Sequence, residues 1–371
     1  MNSFEQNILF IAPLPPPVTG QSYISGVLRN YLEKKYNLSV IDLGKNSTNK
    51  GRFSLRRAFS ISEILYKTLI HSFKCKSIYL TISESLLGNL KDLLIFLILF
   101  RKINKLVLHL HGGSIDKLVL KKYFLLRIIN NFFYKKVAFI IISGNSHKSI
   151  FPRVNNKRLL VIPNFAPKNH LVNRSTVTKK FQSKNKLNLL FLSSMEKSKG
   201  YEYLLNEIEK MPESLTRSFY FNFAGSFRNK KEKEIFEKKI STYNNITYHG
   251  FVDENEKFKL YKKAHIFCLP TQLMEGQPIS ILEAYASGCF IITTNKPGIM
   301  DIFENGRNGY LIENSKNFNL ENILKMILTN QEIIGNIGIK NYEIAEEFFK
   351  KENFCKKVEN SLVFSNQIIF E

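Results

Sequence analysis

Short runs of apolar residues recur along the chain, separated by longer segments whose apolar positions fall at helical spacing. Runs this short, apolar on both faces, read as strands of a parallel sheet covered by helices on either side. In the first half they fall at 7–12, 39–43, 77–81, 105–109, 138–143 and 159–162, with helices predicted near 21–34, 84–102 and 117–136. A second series follows at 187–192, 219–224, 246–249, 266–269 and 290–294. Residues 166–186 interrupt the pattern. They lack apolar periodicity, are rich in Lys, Ser, Thr and Asn, and read as an interdomain linker. There is no internal repeat and no low-complexity tract.

The pattern predicts an α/β protein of two doubly wound domains. A chain of 371 residues exceeds what one hydrophobic core usually supports. The expected division is 1–168, a linker at 169–186, and 187–345. A helical segment at 346–371 is expected to return to the first domain. In such sheets ligands bind at the carboxyl ends of the strands, and a substrate shared by two such domains lies in the cleft between them.

Charge changes this picture more than composition does. The net charge is +23, and it is uneven. Residues 1–180 hold 29 Lys/Arg against 7 Asp/Glu, whereas residues 181–371 hold 25 against 24. The first domain should therefore be drawn to something anionic. Two segments carry much of this charge. Residues 118–136 mix cations and aromatics at helical spacing, and residues 52–76 add Arg52, Arg56, Arg57, Lys67, Lys74 and Lys76. Both suit an anionic membrane surface or a core-facing helix with a solvated basic face. Nucleic acid would satisfy the same charge, but no helix-turn-helix, zinc-finger or RNA-binding pattern is present. The longest apolar run, 93–100, is far short of the roughly 20 residues that span a bilayer, and the N-terminus lacks the pattern of a signal peptide. The expectation is a soluble or peripheral protein. Cys75, Cys268, Cys289 and Cys355 form no CxxC pair, so neither a disulfide framework nor a zinc site is expected.

The segment 264–288 carries the most specific chemistry. A strand ends near Leu269, a polar loop holds Glu275 and Gly276, and Pro278 suits the first turn of a helix that stops at Gly288. The amides near Ile279, Ser280 and Ile281 then point out of a helix N-terminus, which favours phosphate. Glu283 lies about a turn further in, with a carboxylate suited to paired hydroxyls such as those of a ribose. Taken alone, this spacing fits an ordinary strand–loop–helix with two solvated glutamates better.

The segment resembles the E-x7-E signature of the retaining GT-B glycosyltransferases of family 4, and further segments resemble that family in its order. These are residues 191–200 ending in Lys199-Gly200, Phe221–Gly225, Tyr248–Phe251 and the turn Asn305–Tyr310. The resemblance implies two Rossmann-like domains facing a central cleft and the transfer of a sugar with retention of configuration. Glu275 would contact donor-sugar hydroxyls and Glu283 the nucleotide's ribose. Lys199 would neutralise the departing diphosphate. The family commonly places an arginine where this chain has Ser194. In the first domain the loop ending at Gly20, followed by Gln21, is similar to the family's phosphate-facing loop. His111, in His111-Gly112-Gly113, stands where the family keeps a histidine facing the donor sugar. His109 lies on the same strand face and is either a packed histidine or half of a metal-chelating pair, for which no third ligand is apparent. Asn164 resembles the family's Pro-Asn at the domain crossover and is expected to be structural. Gln277 and Met274 are candidates for sugar discrimination.

The expected function is transfer from a nucleoside-diphosphate-sugar, UDP- or GDP-linked, to a glycan or lipid-linked glycan in cell-surface polysaccharide synthesis. No metal or resident cofactor is expected. The expected place is the cytoplasm, peripheral on the inner face of the membrane. The alternative is a non-catalytic GT-B-like accessory or glycan-binding subunit.

Overall fold

The computed structural model describes residues 6–44, 55–167, 172–182, 186–312 and 320–365. The chain divides into two compact units. Met1–Asn164, Glu275–Gln277 and Glu352–Glu371 make the first; Phe165–Met274 and Pro278–Lys351 make the second.

In the first unit β1 (Asn7–Ala12), β2 (Asn37–Asp42), β3 (Ser77–Thr81), β4 (Leu106–Leu110), β5 (Phe139–Ile142) and β6 (Leu159–Val161) form one parallel sheet, in the order β2-β1-β3-β4-β5-β6. Four helices make four of its five crossovers, α1 (Gly20–Leu32), α2 (Leu55–Ser72), α3 (Leu86–Ile98) and α4 (Phe124–Tyr134), while β5 joins β6 through short 3-10 turns. Parallel crossovers are right-handed. Helix α1 steps from β1 outward to β2, whereas α2, α3 and α4 step the opposite way along the sheet. They therefore cover the face opposite α1. Strands β1, β3 and β4 are buried on both sides, which explains why they read as continuous apolar runs.

The second unit repeats the plan. Strands β7 (Leu187–Leu192), β8 (Phe219–Ala224), β9 (Ile246–Tyr248), β10 (Ile266–Leu269), β11 (Phe290–Thr294) and β12 (Gly309–Ile312) run in the order β12-β11-β10-β7-β8-β9, also parallel. Its helices are α5 (Arg174–Gln182), α6 (Tyr201–Lys210), α7 (Glu213–Thr216), α8 (Lys230–Ile240), α9 (Glu254–Lys263), α10 (Ile279–Ala286), α11 (Pro297–Met300), α12 (Leu320–Thr329) and α13 (Gln331–Phe348). A final helix, α14 (Lys351–Phe364), packs in the first unit beside α1, where the Glu359 carboxylate accepts hydrogen bonds from Tyr31 (2.6 Å), Tyr36 (2.9 Å) and Lys35 (3.0 Å).

Three elements differ from the sequence reading. The stretch read as linker contains α5, which buries Val177 and lays Phe181 against α13. A Cβ at Gly338 would meet the Phe181 ring at 2.8 Å, so glycine permits that close approach. The predicted helix 117–136 is interrupted: Asp116–Leu120 is a π-type turn, and Tyr123 is extended before α4 begins. β12 follows a turn and has only four residues, too few to show a period. The linker positions 168–171 and 183–185, residues 366–371 and Arg52 lie outside the described residues.

Candidate functional site

Each unit gathers part of the predicted set. In the second unit Lys199 ends a one-turn helix, Lys197–Lys199, and Gly200 follows with φ 91°. A side chain at Gly200 would be strained, and its Cβ would stand 2.2 Å from the Pro270 carbonyl. The turn is pinned from the other side, where the Gln272 N–H donates to the Ser198 carbonyl at 2.8 Å. Lys199 is thus carried beside the carboxyl ends of β7 and β10. Ser194 is exposed there. Lys197 pairs with Glu202 at 3.1 Å. Arg228, in the loop after β8, pairs with Glu196 at 2.7 Å on the same turn as Lys199. Sequence spacing gave no sign of Arg228; only the pairing of β7 with β8 brings it close.

Helix α10 begins one residue later than the sequence suggested, with Pro278 as its N-cap. The Ile281 amide is already committed to the Pro278 carbonyl at 3.1 Å, which corrects its assignment as an outward donor. Ile279 and Ser280 occupy the first two positions, whose amides have no intrahelical acceptor. Glu283 is not simply available. It is buried, and Lys257 on α9 reaches its Oε1 at 2.7 Å while also holding Glu254 at 2.8 Å. Burial alone would lower the pKa of Lys257, but the carboxylates of Glu283 and Glu254 outweigh it and raise the ammonium above its ordinary value. Tyr261 donates to the Ser280 carbonyl at 3.0 Å and fixes the first turn of α10.

In the first unit Gly20 is the exposed first residue of α1. Thr19 caps that helix: its side chain accepts from the Ser22 N–H at 3.1 Å, and Ser22 Oγ accepts from the Thr19 N–H at 2.8 Å. His111 follows β4 directly. Its ring lies on that of His109, with centroids 3.9 Å apart. His109 is anchored by Tyr79, whose hydroxyl meets Nδ1 at 2.6 Å. Both ring nitrogens of His111 are buried and lack a hydrogen-bond partner among the described residues. Gly112 is held close to Glu84, where a Cβ would stand 2.3 Å from the carboxylate, and Glu84 accepts the Ser114 N–H at 2.7 Å. Burial raises the Glu84 pKa against that hydrogen bond, and the nearby Glu275 adds to the rise. Glu84 was missed in the sequence, although it sits in the loop after β3, at the same sheet edge as His111. Gly276 packs so closely that a Cβ would be 1.9 Å from the His111 carbonyl. Gln277 is buried, accepts the Asn164 N–H through its side chain and the Asn164 amide NH₂ through its carbonyl. It is therefore a clamp on the crossover, while Met274 is exposed. Among the described residues no group of three or more His, Cys, Asp or Glu is placed to hold a metal ion.

The buried imidazoles give a pH prediction. Burial pushes His111 down to about 3 and His265 down to about 4, and it lowers His109 as well. Below the ordinary histidine value the unfolded chain takes up protons that the folded state excludes, so stability is lost as pH falls through that value. At pH 5.5 each group costs about 1 kcal/mol relative to pH 7.5. The first unit, with two such histidines, should lose roughly 4–8 °C of its melting midpoint, and the second unit about half as much. Calorimetric scans at the two pH values, with His111→Phe flattening the response of the first unit, test this. Midpoints that hold or rise on acidification would contradict it.

Residues 173–343 match the family model described as glycosyl transferases group 1. An uncharacterized 41.2 kDa protein in the cps region of Klebsiella pneumoniae is 29% identical over 129 residues, 35% of this chain and 33% of that protein. An uncharacterized glycosyltransferase of Haemophilus influenzae is 25% identical over 201 residues, 53% of this chain and 52% of that one. The matched segment thus spans about half, or less, of these relatives' length. The crystal structure of Anabaena HepE in complex with UDP and glucose superposes on 97% of this chain and 100% of its own, with TM-score 0.72 at 16% identity.

Proposed function

We propose that this chain, whose residues 173–343 match the group 1 glycosyltransferase model and which has the GT-B fold, moves a sugar from a nucleoside-diphosphate-sugar to a glycan or lipid-linked glycan acceptor. The observation that carries this is the start of α10. Ile279 and Ser280 present open amides, Glu283 stands one turn inside, and Lys199 ends its own turn at the neighbouring strand end, all within the residues that match the family. Oriented amides and a lysine suit a diphosphate. A carboxylate has two oxygens and room for several donors, so Lys257 on Oε1 can orient Glu283 for the ribose hydroxyls.

In the reaction the bond from the sugar's anomeric carbon to the phosphate oxygen breaks, and the nucleoside diphosphate leaves with the electron pair. The acceptor oxygen bonds to the same carbon on the face the phosphate vacates, which retains configuration, and the acceptor's proton passes to the departing phosphate. Lys199 stabilises the developing charge, without a divalent metal. Gly20 lets the first loop approach the donor phosphate or the acceptor. Glu275 and His111 take the sugar hydroxyls. An imidazole buried with neither nitrogen bonded costs about 1–3 kcal/mol per group, and a hydroxyl reaching it would relieve that cost. The cps-region relative supports a role in cell-surface polysaccharide, and HepE, solved with UDP, supports a UDP-linked donor. The basic first unit supports a place on the cytoplasmic face of the membrane, with nucleic acid not a partner.

Calorimetric titration with UDP-, GDP- and ADP-sugars should show one class binding at micromolar concentration, and transfer of that sugar should persist in EDTA. If no nucleotide-sugar binds, the enzyme reading fails and the accessory-subunit reading takes its place. If binding occurs but EDTA abolishes transfer, Lys199 does not suffice for the diphosphate.

A further inference from the structure

Helix α3 is apolar over most of its circumference, its polar residues Asn89, Lys91 and Asp92 being turned inward or nearly so. Its inner side buries Leu93, Ile95 and Phe96, yet Leu87, Leu90, Leu94 and Leu97 form an outward stripe, each 41–60% exposed. An outward apolar stripe on a helix that already buries its other side calls for a covering partner or lipid, and nothing among the described residues covers this one. The stripe continues onto its neighbours. Helix α4 is joined to α3 by paired amides of Asn89 and Asn130 at 2.9 and 3.0 Å, and it exposes Phe124 and Leu125 at 63% and 71%. Exposed Phe100 stacks on exposed Phe132, with centroids 6.3 Å apart. Helix α2, packed on α3, exposes Phe59, and Phe73 just beyond its end is exposed too. All three helices cover the same face of the first sheet.

We infer that this face is a membrane-docking surface that inserts apolar side chains among anionic lipid headgroups. Contiguous exposed apolar area of this extent marks an interaction site. The cations identify the occupant. Residues 55–136 carry 15 Lys/Arg against 4 Asp/Glu. Arg127 lies over the Phe124 ring at 5.2 Å and Lys136 over the Phe132 ring at 5.0 Å, so positive charge stands among the apolar side chains. An anionic bilayer accepts both at once. A second copy would bring like charge against like, and nucleic acid would leave the leucines in water. The inference deepens, and rests on, the membrane association proposed above, but binding needs neither donor nor acceptor.

The test is co-sedimentation of the full chain with vesicles of phosphatidylcholine alone and with one third phosphatidylglycerol. Wild type should bind the anionic vesicles at least tenfold more tightly, and high salt should weaken binding. Phe124→Ser with Leu125→Ser, and separately Leu90→Ser with Leu94→Ser, should each lower the partition coefficient by about tenfold or more. Lys121→Ala with Lys122→Ala and Arg127→Ala should do so on anionic vesicles only. These positions are exposed, and circular dichroism checks that the variants fold. Wild type that ignores anionic vesicles, or serine variants that partition like wild type, overturns the inference. So does a lipid-free dimer that the serine variants dissociate, which would make the face an interface between copies. Vesicle binding without sugar transfer would overturn only the proposed function; transfer to a soluble acceptor without vesicle binding would overturn only the docking surface.

Discussion

Glu283→Ala is expected to abolish donor-dependent transfer and to destabilise the second unit by about 3 kcal/mol. The two losses have separate causes. The first follows from removing the carboxylate that takes the ribose. The second follows from Lys257, whose side chain is only 15% exposed and would be left as a largely buried ammonium with Glu254 alone. Adding Lys257→Met should restore most of the stability, because an apolar replacement for both partners of a buried pair is tolerated far better than half a pair. It should restore none of the transfer. Urea unfolding and a radiolabelled transfer assay read the two effects. Wild-type turnover by Glu283→Ala would sink the site assignment, and a double variant no more stable than the single would show that Lys257 is not the source of the loss.

Gly276→Ala should lower kcat/KM by about 100-fold while leaving the fold intact. An added Cβ would lie 1.9 Å from the His111 carbonyl and 3.0 Å from the Gly112 Cα. Both are backbone atoms, which cannot swing aside as a side-chain end would. The loop Glu275–Gln277 must therefore shift, carrying Glu275 with it and pulling Gln277 from Asn164. A displacement of about 1 Å at a reacting group costs on the order of 100-fold in rate. Gly306→Ala is the contrasting case: its φ of 81° strains an L-residue, but a Cβ there meets nothing within 4 Å, so it should cost stability without a comparable loss of rate. Equal kinetic losses in the two variants would refute the steric argument.

The strands were legible because a parallel strand buried on both faces must be apolar throughout, and that leaves a signal at single-sequence level. Most of their bounds moved by two residues or fewer. β12 escaped because Gly309–Ile312 is short and half-exposed. α5 escaped because its burial rests on Val177 and Phe181, two residues that make no visible stripe. In the candidate site, Glu275 and Glu283 stood out through their spacing and Lys199 through the glycine after it. Their partners did not. Lys257 and Arg228 are ordinary surface-type residues in the sequence, and they reach Glu283 and Glu196 only when separate elements pack.

By itself, then, the sequence determined the α/β class, the duplication of the sheet, the order of the motifs and the cationic excess of the first half, all of which depend on local pattern or composition. Tertiary structure alone decided that Glu283 is paired with Lys257, that the His111 nitrogens are buried, and that Glu84 stands against Gly112. It also decided that the leucines of α3 split into a buried side and a bare one. These are facts of long-range proximity. A side chain's neighbours across the sheet are fixed by crossover geometry and strand order, which no window of the sequence contains.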